Sequence, residues 1–337
     1  MSIRLLTLDG AFVTLDHETM TAFRQSFSGP VLLPGDPDYD EVRRVWNKMH
    51  DRKPAMIVRC RGAADVIDAV NFARTHRLLI TVRAGGHHVA GFAVQDDALM
   101  IDLSLMKGIQ VDPQGRTVCA QAGVTIGELD RETQVFGLAT PMGVVSETGI
   151  AGLTLGGGMG WLRRKYGLAC DNLIGADIIT ADGAFHRLSV TEDSDLFWAI
   201  RGGGGNFGIV TAFTYQLHPV GPIVMSATTM YALADARQVL SGWREFMQEA
   251  PEEVTSTAFF WGIPPTPPIP EELWGQTIVG VGALYAGDAE EWRTHYATPL
   301  KALAKPILDL SGKMPYTMVQ KSLILFPHAA ISIIQID

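Results

Sequence analysis

The most informative stretch of this sequence is Arg83-Ala84-Gly85-Gly86-His87-His88-Val89-Ala90-Gly91. Residues 55–60 and 78–83 predict buried strands, and residues 63–76 predict an amphipathic helix between them. The stretch therefore leaves a β-α-β unit, for which we expect a right-handed crossover. Two adjacent glycines expose successive backbone N–H groups, a concavity suited to a phosphate, and Arg83 adds a possible charge-assisted bond. A plain tight turn is the alternative interpretation.

Two further glycine-rich stretches follow. Residues 149–161 read Gly-Ile-Ala-Gly-Leu-Thr-Leu-Gly-Gly-Gly-Met-Gly-Trp and carry no charge. As a strand this stretch is a poor core element, but it suits a flat ligand lying against the backbone. Residues 201–208, Arg-Gly-Gly-Gly-Gly-Asn-Phe-Gly, contain G-x-G-x-x-G, but a predicted helix precedes them and a β-rich run follows. This context argues against a nicotinamide-binding Rossmann site, and no P-loop motif occurs.

Two clusters of polar residues have a structural interpretation as well as a functional one. His87 and His88 are adjacent, so in an extended chain they point in opposite directions and do not share a metal ion. No carboxylate or cysteine lies near them at ligand spacing, so we predict no metal site. Residues 163–172, Arg-Arg-Lys-Tyr-Gly-Leu-Ala-Cys-Asp-Asn, begin with three cations, which is also the pattern of a solvated surface run.

Composition limits the function classes. The 337 residues include 27 Lys and Arg against 36 Asp and Glu, a net charge of −9, which gives no general attraction to nucleic acid or anionic membranes. No apolar run is long enough to span a bilayer, and the first twelve residues lack a secretory signal pattern, so we expect a cytoplasmic protein. Cys60, Cys119 and Cys170 form no C-x-x-C motif, which predicts small structural thiols instead of disulfides.

The order of these motifs is more specific than any one of them. A β-α-β unit is followed by R-x-G-G-H, G-x-x-G-x-x-x-G-G-G, R-K-Y-G-x-x-x-D-N and R-G-G-G-G-N-F-G. This order resembles the p-cresol-methylhydroxylase-type FAD-binding domain of the vanillyl-alcohol-oxidase superfamily, and within it the berberine-bridge-enzyme-like oxidases. The resemblance runs from about residue 53 to 219, and more loosely to about 320.

The resemblance implies an α+β fold with two domains. Residues 1–219 would form a two-subdomain p-cresol-methylhydroxylase-type FAD-binding domain, with its core at about 53–219. Residues 220–337 would form an α+β substrate domain, incomplete relative to the family, after a boundary near Pro219-Val220-Gly221-Pro222. Residues 322–334 depart from the family pattern, and we expect part of the family's substrate-side sheet, which often holds the catalytic base, to be missing.

The resemblance also implies the cofactor and its site. FAD would be attached covalently by an 8α-histidyl bond to His87, while Arg83 to Gly86 wrap the pyrophosphate. Single attachment is expected, because Val145 matches the position of the second attachment cysteine in bicovalent members. Tyr166 is the candidate catalytic residue, without an assigned step. The other cofactor-binding candidates are Ala84, Gly85, His88, Gly91, Ser146, Thr148, Gly149, Gly152, Gly156, Gly157 and Val210.

The activity implied by this resemblance is that of an FAD-dependent oxidase. A small amine, alcohol or sugar would give a hydride to the flavin, and oxygen or another acceptor would take the electrons. The protein supplies position and electrostatics for this chemistry. Two other hypotheses stay open at this point: a truncated, catalytically inactive FAD-binding remnant, and a nicotinamide-linked dehydrogenase.

Overall fold

The computed structural model describes residues 2–265 and 270–321. The strands are β1 (Ile3–Leu6), β2 (Phe12–Leu15), β3 (Val31–Leu32), β4 (Met56–Arg59), β5 (Ile80–Arg83), β6 (Leu99–Asp102), β7 (Ile109–Asp112), β8 (Thr117–Gln121), β9 (Leu138–Ala139), β10 (Leu173–Ile179), β11 (Phe185–Ser189), β12 (Ile209–Gln216), β13 (His218–Pro219), β14 (Ile223–Ala232), β15 (Val254–Gly262), β16 (Thr277–Tyr285), β17 (Pro306–Asp309) and β18 (Gly312–Pro315). The helices are α1 (His17–Ser26), α2 (Tyr39–Val42), α3 (Ala63–Thr75), α4 (Ile126–Thr133), α5 (Ile150–Leu155), α6 (Arg163–Tyr166), α7 (Ser194–Ile200), α8 (Ala236–Glu249), α9 (Ala289–Glu291), α10 (Ala297–Lys301) and α11 (Tyr316–Lys321).

The chain falls into two compact units. The first comprises Met1–Glu132, Glu147–Gly158 and Ala169–Leu217, and the second comprises Thr133–Ser146, Met159–Leu168 and His218–Asp337. The mixed α+β character expected from the sequence is confirmed. The assignment of 1–219 to FAD binding and 220–337 to substrate binding stays a prediction, and residues 322–334 lie outside the described residues.

A small sheet at the centre of the first unit holds the predicted β-α-β unit. Its strand order is β3-β4-β6-β5, and both β4 and β5 pair with β6 in parallel. The two predicted strands are therefore present, with β6 inserted between them. Every residue of β6 is buried, as are Met56, Ile57 and Val58 of β4, the apolar run that is typical of covered parallel strands.

A second, antiparallel sheet in the same unit has the order β11-β10-β12-β8-β7. Residues 109–121 and 177–188, the second around Asp182-Gly183, predict two hairpins, and these are confirmed as β7–β8 and β10–β11. The turn of the second contains Gly183, whose φ of +83° is a backbone conformation that favours glycine. Thr125, followed three residues later by Glu128, predicts a capping box at the start of α4. It is present in part, because the Thr125 N–H donates to Glu128 Oε2 at 2.7 Å.

The interpretation of residues 149–161 as a strand is wrong, because the segment begins with helix α5. Its apolar side chains recur with helical spacing, so Ile150, Ala151, Thr154 and Leu155 are buried together. The buried hydroxyl of Tyr215 in β12 lies 2.8 Å from Thr154 Oγ1. This hydrogen bond fastens α5 to the second sheet.

The second unit is built on an antiparallel sheet of order β15-β16-β14-β17, with β18 also pairing with β14. Helix α8 covers one face through Val239, Trp243 and Phe246. The sequence analysis missed β15. Residues 290–303 predict a single helix, but a π-helix at Trp292–Tyr296 divides it.

The basic run at 163–165 is not a solvated surface run. Arg164 donates to the carbonyls of Ala250, Pro251 and Val254, just after α8. Arg163 donates to the carbonyl of Ser256, so the two arginines cover the first half of the edge strand β15. Burial, followed by the neighbouring Arg164, lowers the pKa of the Arg163 guanidinium.

Among the described residues, no helix is both long enough and apolar enough to cross a membrane.

The Tyr215–Thr154 hydrogen bond can be tested by mutation. Tyr215→Phe leaves a buried threonine hydroxyl without its partner, which is expected to lower the free energy of unfolding by about 1–2 kcal/mol. The double variant Tyr215→Phe/Thr154→Val is expected to cost less than the sum of the single variants in urea unfolding. Simple additivity would contradict a direct bond between these side chains.

Candidate cofactor site

Three parallel strands of the first unit end at the same level. Arg59 of β4 and Arg83 of β5 both lie beside Asp102 of β6 in the strand register. In open α/β sheets, ligands bind outside the carboxyl ends of such strands. The stretch Ala84–His87 leaves β5 directly from this edge, so it lies where a ligand is expected.

Two glycines let this turn touch the start of α5. A Cβ atom on Gly85 would lie 2.5 Å from the backbone nitrogen of Gly149, and a Cβ on Gly149 would lie 2.8 Å from Gly85 Cα. Neither position has room for a side chain. Gly149 is itself held in place, because the flanking Thr148 carbonyl accepts from Ile126 N–H and the flanking Ile150 N–H donates to Val124.

The two histidines have different surroundings. His87 is half-buried, its Nδ1 lies 3.4 Å from Thr148 Oγ1, and its ring stacks on Trp46 with centroids 5.8 Å apart. His88 is exposed and stacks on Phe92. Only His87 is therefore tied to the segment that begins α5. No group of three or more His, Cys, Asp or Glu that could hold a metal ion occurs in the described part of the chain.

Helix α5 presents a bare face. Gly152 and Gly156 are exposed and lie one helical turn apart. Nothing lies within 4 Å of a Cβ built on Gly152, and the nearest atom to one built on Gly156 is the Gly152 carbonyl oxygen at 3.4 Å. The helix ends at Leu155, and Gly157, just beyond its C-cap Gly156, has a φ of +113°. A flat group can therefore approach the α5 backbone on this side.

The third glycine-rich stretch meets the end of the same helix. The Leu155 carbonyl accepts from the N–H groups of Gly202 and Gly204 at 3.1 and 2.9 Å. The strand that follows contains Val210, which is buried and pairs with Ile178 beyond the end of the β8 ladder. The glycine stretches of the first unit are thus brought together around α5.

A buried ion cluster lies next to the glycine turn. The Asp102 carboxylate is fully buried and accepts from Arg59 Nε at 3.0 Å, Arg83 Nη1 at 2.9 Å and Ser104 Oγ at 2.7 Å. Arg83 Nε is buried without a hydrogen-bond partner among the described residues, 3.4 Å from where a Cβ of Gly86 would be. The sequence analysis found Arg83 and missed its partner Asp102, which ends the buried strand β6. It also missed Arg59, the second arginine on Asp102.

Several predicted site residues have other surroundings. Gly91 packs against His50, and a Cβ on Gly91 would lie 2.4 Å from the His50 ring. This contact is a structural reason for glycine at position 91. In the second unit, Ser146 is buried and its hydroxyl has no partner among the described residues. Tyr166, also in that unit, stacks on His218 with centroids 4.0 Å apart. Their predicted roles stay predictions.

Cys170 behaves as a structural thiol. Its N–H donates to the Gly157 carbonyl at 2.9 Å, which ties it to the end of the α5 segment. Burial, followed by the charge of Asp171, raises the pKa of this thiol, so it is protonated at neutral pH.

Comparisons with known proteins agree with this geometry. A family model described as an FAD binding domain matches residues 54–189. (R)-6-hydroxynicotine oxidase of Paenarthrobacter nicotinovorans is 36% identical over 236 residues, which are 69% of this chain and 52% of that protein. An FAD-linked oxidoreductase of Dictyostelium discoideum is 35% identical over 307 residues, 90% of this chain and 64% of that protein.

Solved structures give the same result. The crystal structure of 6-hydroxy-D-nicotine oxidase from Arthrobacter nicotinovorans superposes with a TM-score of 0.81 at 31% identity, covering 89% of this chain and 65% of that one. BBE-like 1 of Physcomitrella patens superposes with a TM-score of 0.79 at 24% identity, covering 90% of this chain and 64% of that one, which shows the shared fold. The chain spans between half and two thirds of the length of these relatives.

The fold and the glycine-lined site define an FAD-binding protein. The chain resembles FAD-linked oxidoreductases over most of its length, 6-hydroxynicotine oxidase among them, and it shares the fold of a berberine-bridge-enzyme-like protein.

The close approach of the Gly85 and Gly149 backbones predicts different effects of alanine at Gly85 and at Gly152. Gly85→Ala forces a Cβ into the Gly149 backbone and is expected to lower the free energy of unfolding by at least about 2 kcal/mol. Gly152→Ala meets nothing and raises helix propensity, so it is expected to leave the stability unchanged or raise it by up to about 1 kcal/mol. Urea unfolding of the FAD-free chains checks both, and equal losses of stability would contradict the distinction.

Proposed function

We propose that this chain is an FAD-dependent oxidase whose flavin is bound covalently through His87. It would oxidise a small organic molecule, an amine, alcohol or sugar, and pass the electrons to oxygen or another acceptor. The observation that carries the proposal is the exposed, side-chain-free face of α5 at Gly152 and Gly156, beside the turn that holds His87. Among the relatives, 6-hydroxynicotine oxidase and chitooligosaccharide oxidase point to small-molecule substrates.

The residues present fit FAD. The Gly85–Gly149 contact and the bare α5 face form a cradle that Cβ atoms at these positions would fill or block. The excess positive charge of Arg59 and Arg83 over Asp102 suits a pyrophosphate. In this assignment Arg83, Ala84, Gly85 and Gly86 wrap the pyrophosphate, and Gly149, Gly152, Gly156 and Gly157 face the flavin and ribityl chain. Ser146, Thr148 and Val210 supply polar or backbone contacts.

His87 is suited to hold the cofactor. Its imidazole is half-buried and is restrained by the stacked Trp46 ring on one side and by Thr148 Oγ1 near Nδ1. A restrained imidazole loses little conformational freedom when it forms a bond, and it then keeps the cofactor in register. Bound FAD would supply hydride acceptance and electron transfer to an acceptor. The chain's own residues would fix its position and exclude water from the α5 face.

The covalent attachment is tested by His87→Ala. The parent chain is expected to keep its yellow colour in the pellet after acid precipitation, whereas His87→Ala releases all its flavin into the supernatant. His88→Ala is the matched control, because His88 is exposed and stacks on Phe92 instead of contacting the α5 segment. Flavin that stays with the acid pellet of His87→Ala would show that another residue forms the bond.

The oxidase activity is tested separately. Anaerobic addition of amines, alcohols and sugars is expected to bleach the flavin absorbance with one of these classes, and admission of air should restore it. A coloured protein that no substrate bleaches would contradict the oxidase and leave an FAD-binding chain without turnover. A protein that stays colourless with added FAD would contradict the cofactor itself. Gly152→Ala, which leaves the fold intact, is expected to lower flavin content several-fold.

A further inference from the structure

We propose that Arg59, Asp102 and Arg83 form one charge cluster that attracts the dinucleotide pyrophosphate, with Arg59 as the residue that leaves it net positive. The inference rests on the proposed FAD binding and names the residues that guide FAD to its site. Arg59 lies in none of the glycine motifs. Its place follows from the strand register, which puts it opposite Asp102 at the same sheet edge as Arg83.

The charge count of the cluster follows from the contacts. The fully buried Asp102 carboxylate accepts one hydrogen bond from each arginine, from Arg59 Nε at 3.0 Å and from Arg83 Nη1 at 2.9 Å. Two guanidinium groups on one carboxylate leave a single positive charge, since the arginine side chain is a cation in proteins. Ser104 completes the cluster, donating to Asp102 and accepting from Arg59 Nη2 at 3.2 Å.

The position of the cluster points to the phosphates. It lies at the carboxyl ends of three parallel strands, where ligands of open α/β sheets bind. Arg83 Nε lies 3.4 Å from where a Cβ of Gly86 would be, and it has no hydrogen-bond partner among the described residues. Because Asp102 already holds Arg83 Nη1, the cluster acts on the pyrophosphate through its field as well as through any direct bond. Asp102 is thus a positioning residue that neutralises the charge of Arg83. Arg59 supplies a second positive charge, which leaves the cluster net positive.

Two substitutions that change the charge of the cluster in opposite directions distinguish this role from a purely structural one. Arg59→Gln removes the net charge, whereas Asp102→Asn raises it from +1 to +2. A charge that attracts the pyrophosphate makes FAD associate more slowly with the first variant and faster with the second. A cluster that only holds the strands together would make both variants less stable and shift their association rates in the same direction.

The experiment uses the 337-residue chain produced without flavin in riboflavin-starved cells, so the result does not depend on covalent attachment. Stopped-flow quenching of flavin fluorescence gives the association rate constant of FAD at low and high salt. At low salt, Arg59→Gln is expected to slow association about fivefold, and the difference should disappear at high salt because screening removes it. Asp102→Asn is expected to show the steepest salt dependence.

Three controls complete the test. Arg59→Lys keeps the charge and is expected to restore most of the rate. Lys107→Gln removes one positive charge from the Lys107–Glu128 pair, elsewhere in the same unit, and is expected to have no effect. Riboflavin, which has no phosphate, is expected to associate equally with every variant that binds it.

Thermal unfolding reports stability separately from these rates. If Arg59→Gln binds FAD at the parental rate with the parental salt dependence, the inference is overturned while FAD binding stands. The inference also fails if Asp102→Asn slows association as Arg59→Gln does. A flavin-free parent that binds no FAD would overturn the proposed function, and this inference with it.

Discussion

The contact between the Gly85 and Gly149 backbones is the constraint on which the rest of the site depends. The turn after β5 and the start of α5 approach so closely that a methyl group on either glycine would overlap the other backbone. The Gly149 side of this contact is fixed by bonds from its neighbours to Val124 and Ile126, and the other side is fixed by β5. Because the two segments touch here, His87 comes next to Thr148, and the bare face of α5 begins beside the turn.

The buried Asp102 gives the same turn its electrostatic character. A lone buried carboxylate is strongly unfavourable, so at least one cation has to accompany it. A single arginine would neutralise it, and the site would then offer a phosphate only backbone dipoles. The second arginine makes the cluster positive without exposing a long flexible side chain, since both guanidinium groups are held on a fixed carboxylate. Preorganised charge of this kind needs little rearrangement when an anion arrives.

The sequence is informative where a local pattern determines the structure. The strands around the first turn and both hairpins follow from hydrophobic runs and an Asp-Gly turn. The role of His87 comes only from the family resemblance and stays a prediction. The sequence is less informative where glycine hides the pattern: residues 149–161 lack the polar face that marks an amphipathic helix, because Gly152 and Gly156 occupy that face. The partners of Arg83 and Arg164 were also missed, since they depend on strand register and on carbonyl groups distant in the chain.

The glycines of this protein therefore have two different roles, and composition alone does not distinguish them. At Gly85 and Gly149 the absent side chain is needed by the fold, because another backbone occupies its place. At Gly152 the place is empty in the folded chain, and a glycine inside a helix carries an entropic cost of about 1 kcal/mol relative to alanine. A position that weakens its own helix and leaves open space is not explained by packing. A flat ligand that lies against the helix backbone would explain it. The α5 face is therefore the feature of the structure that most directly supports a bound flavin.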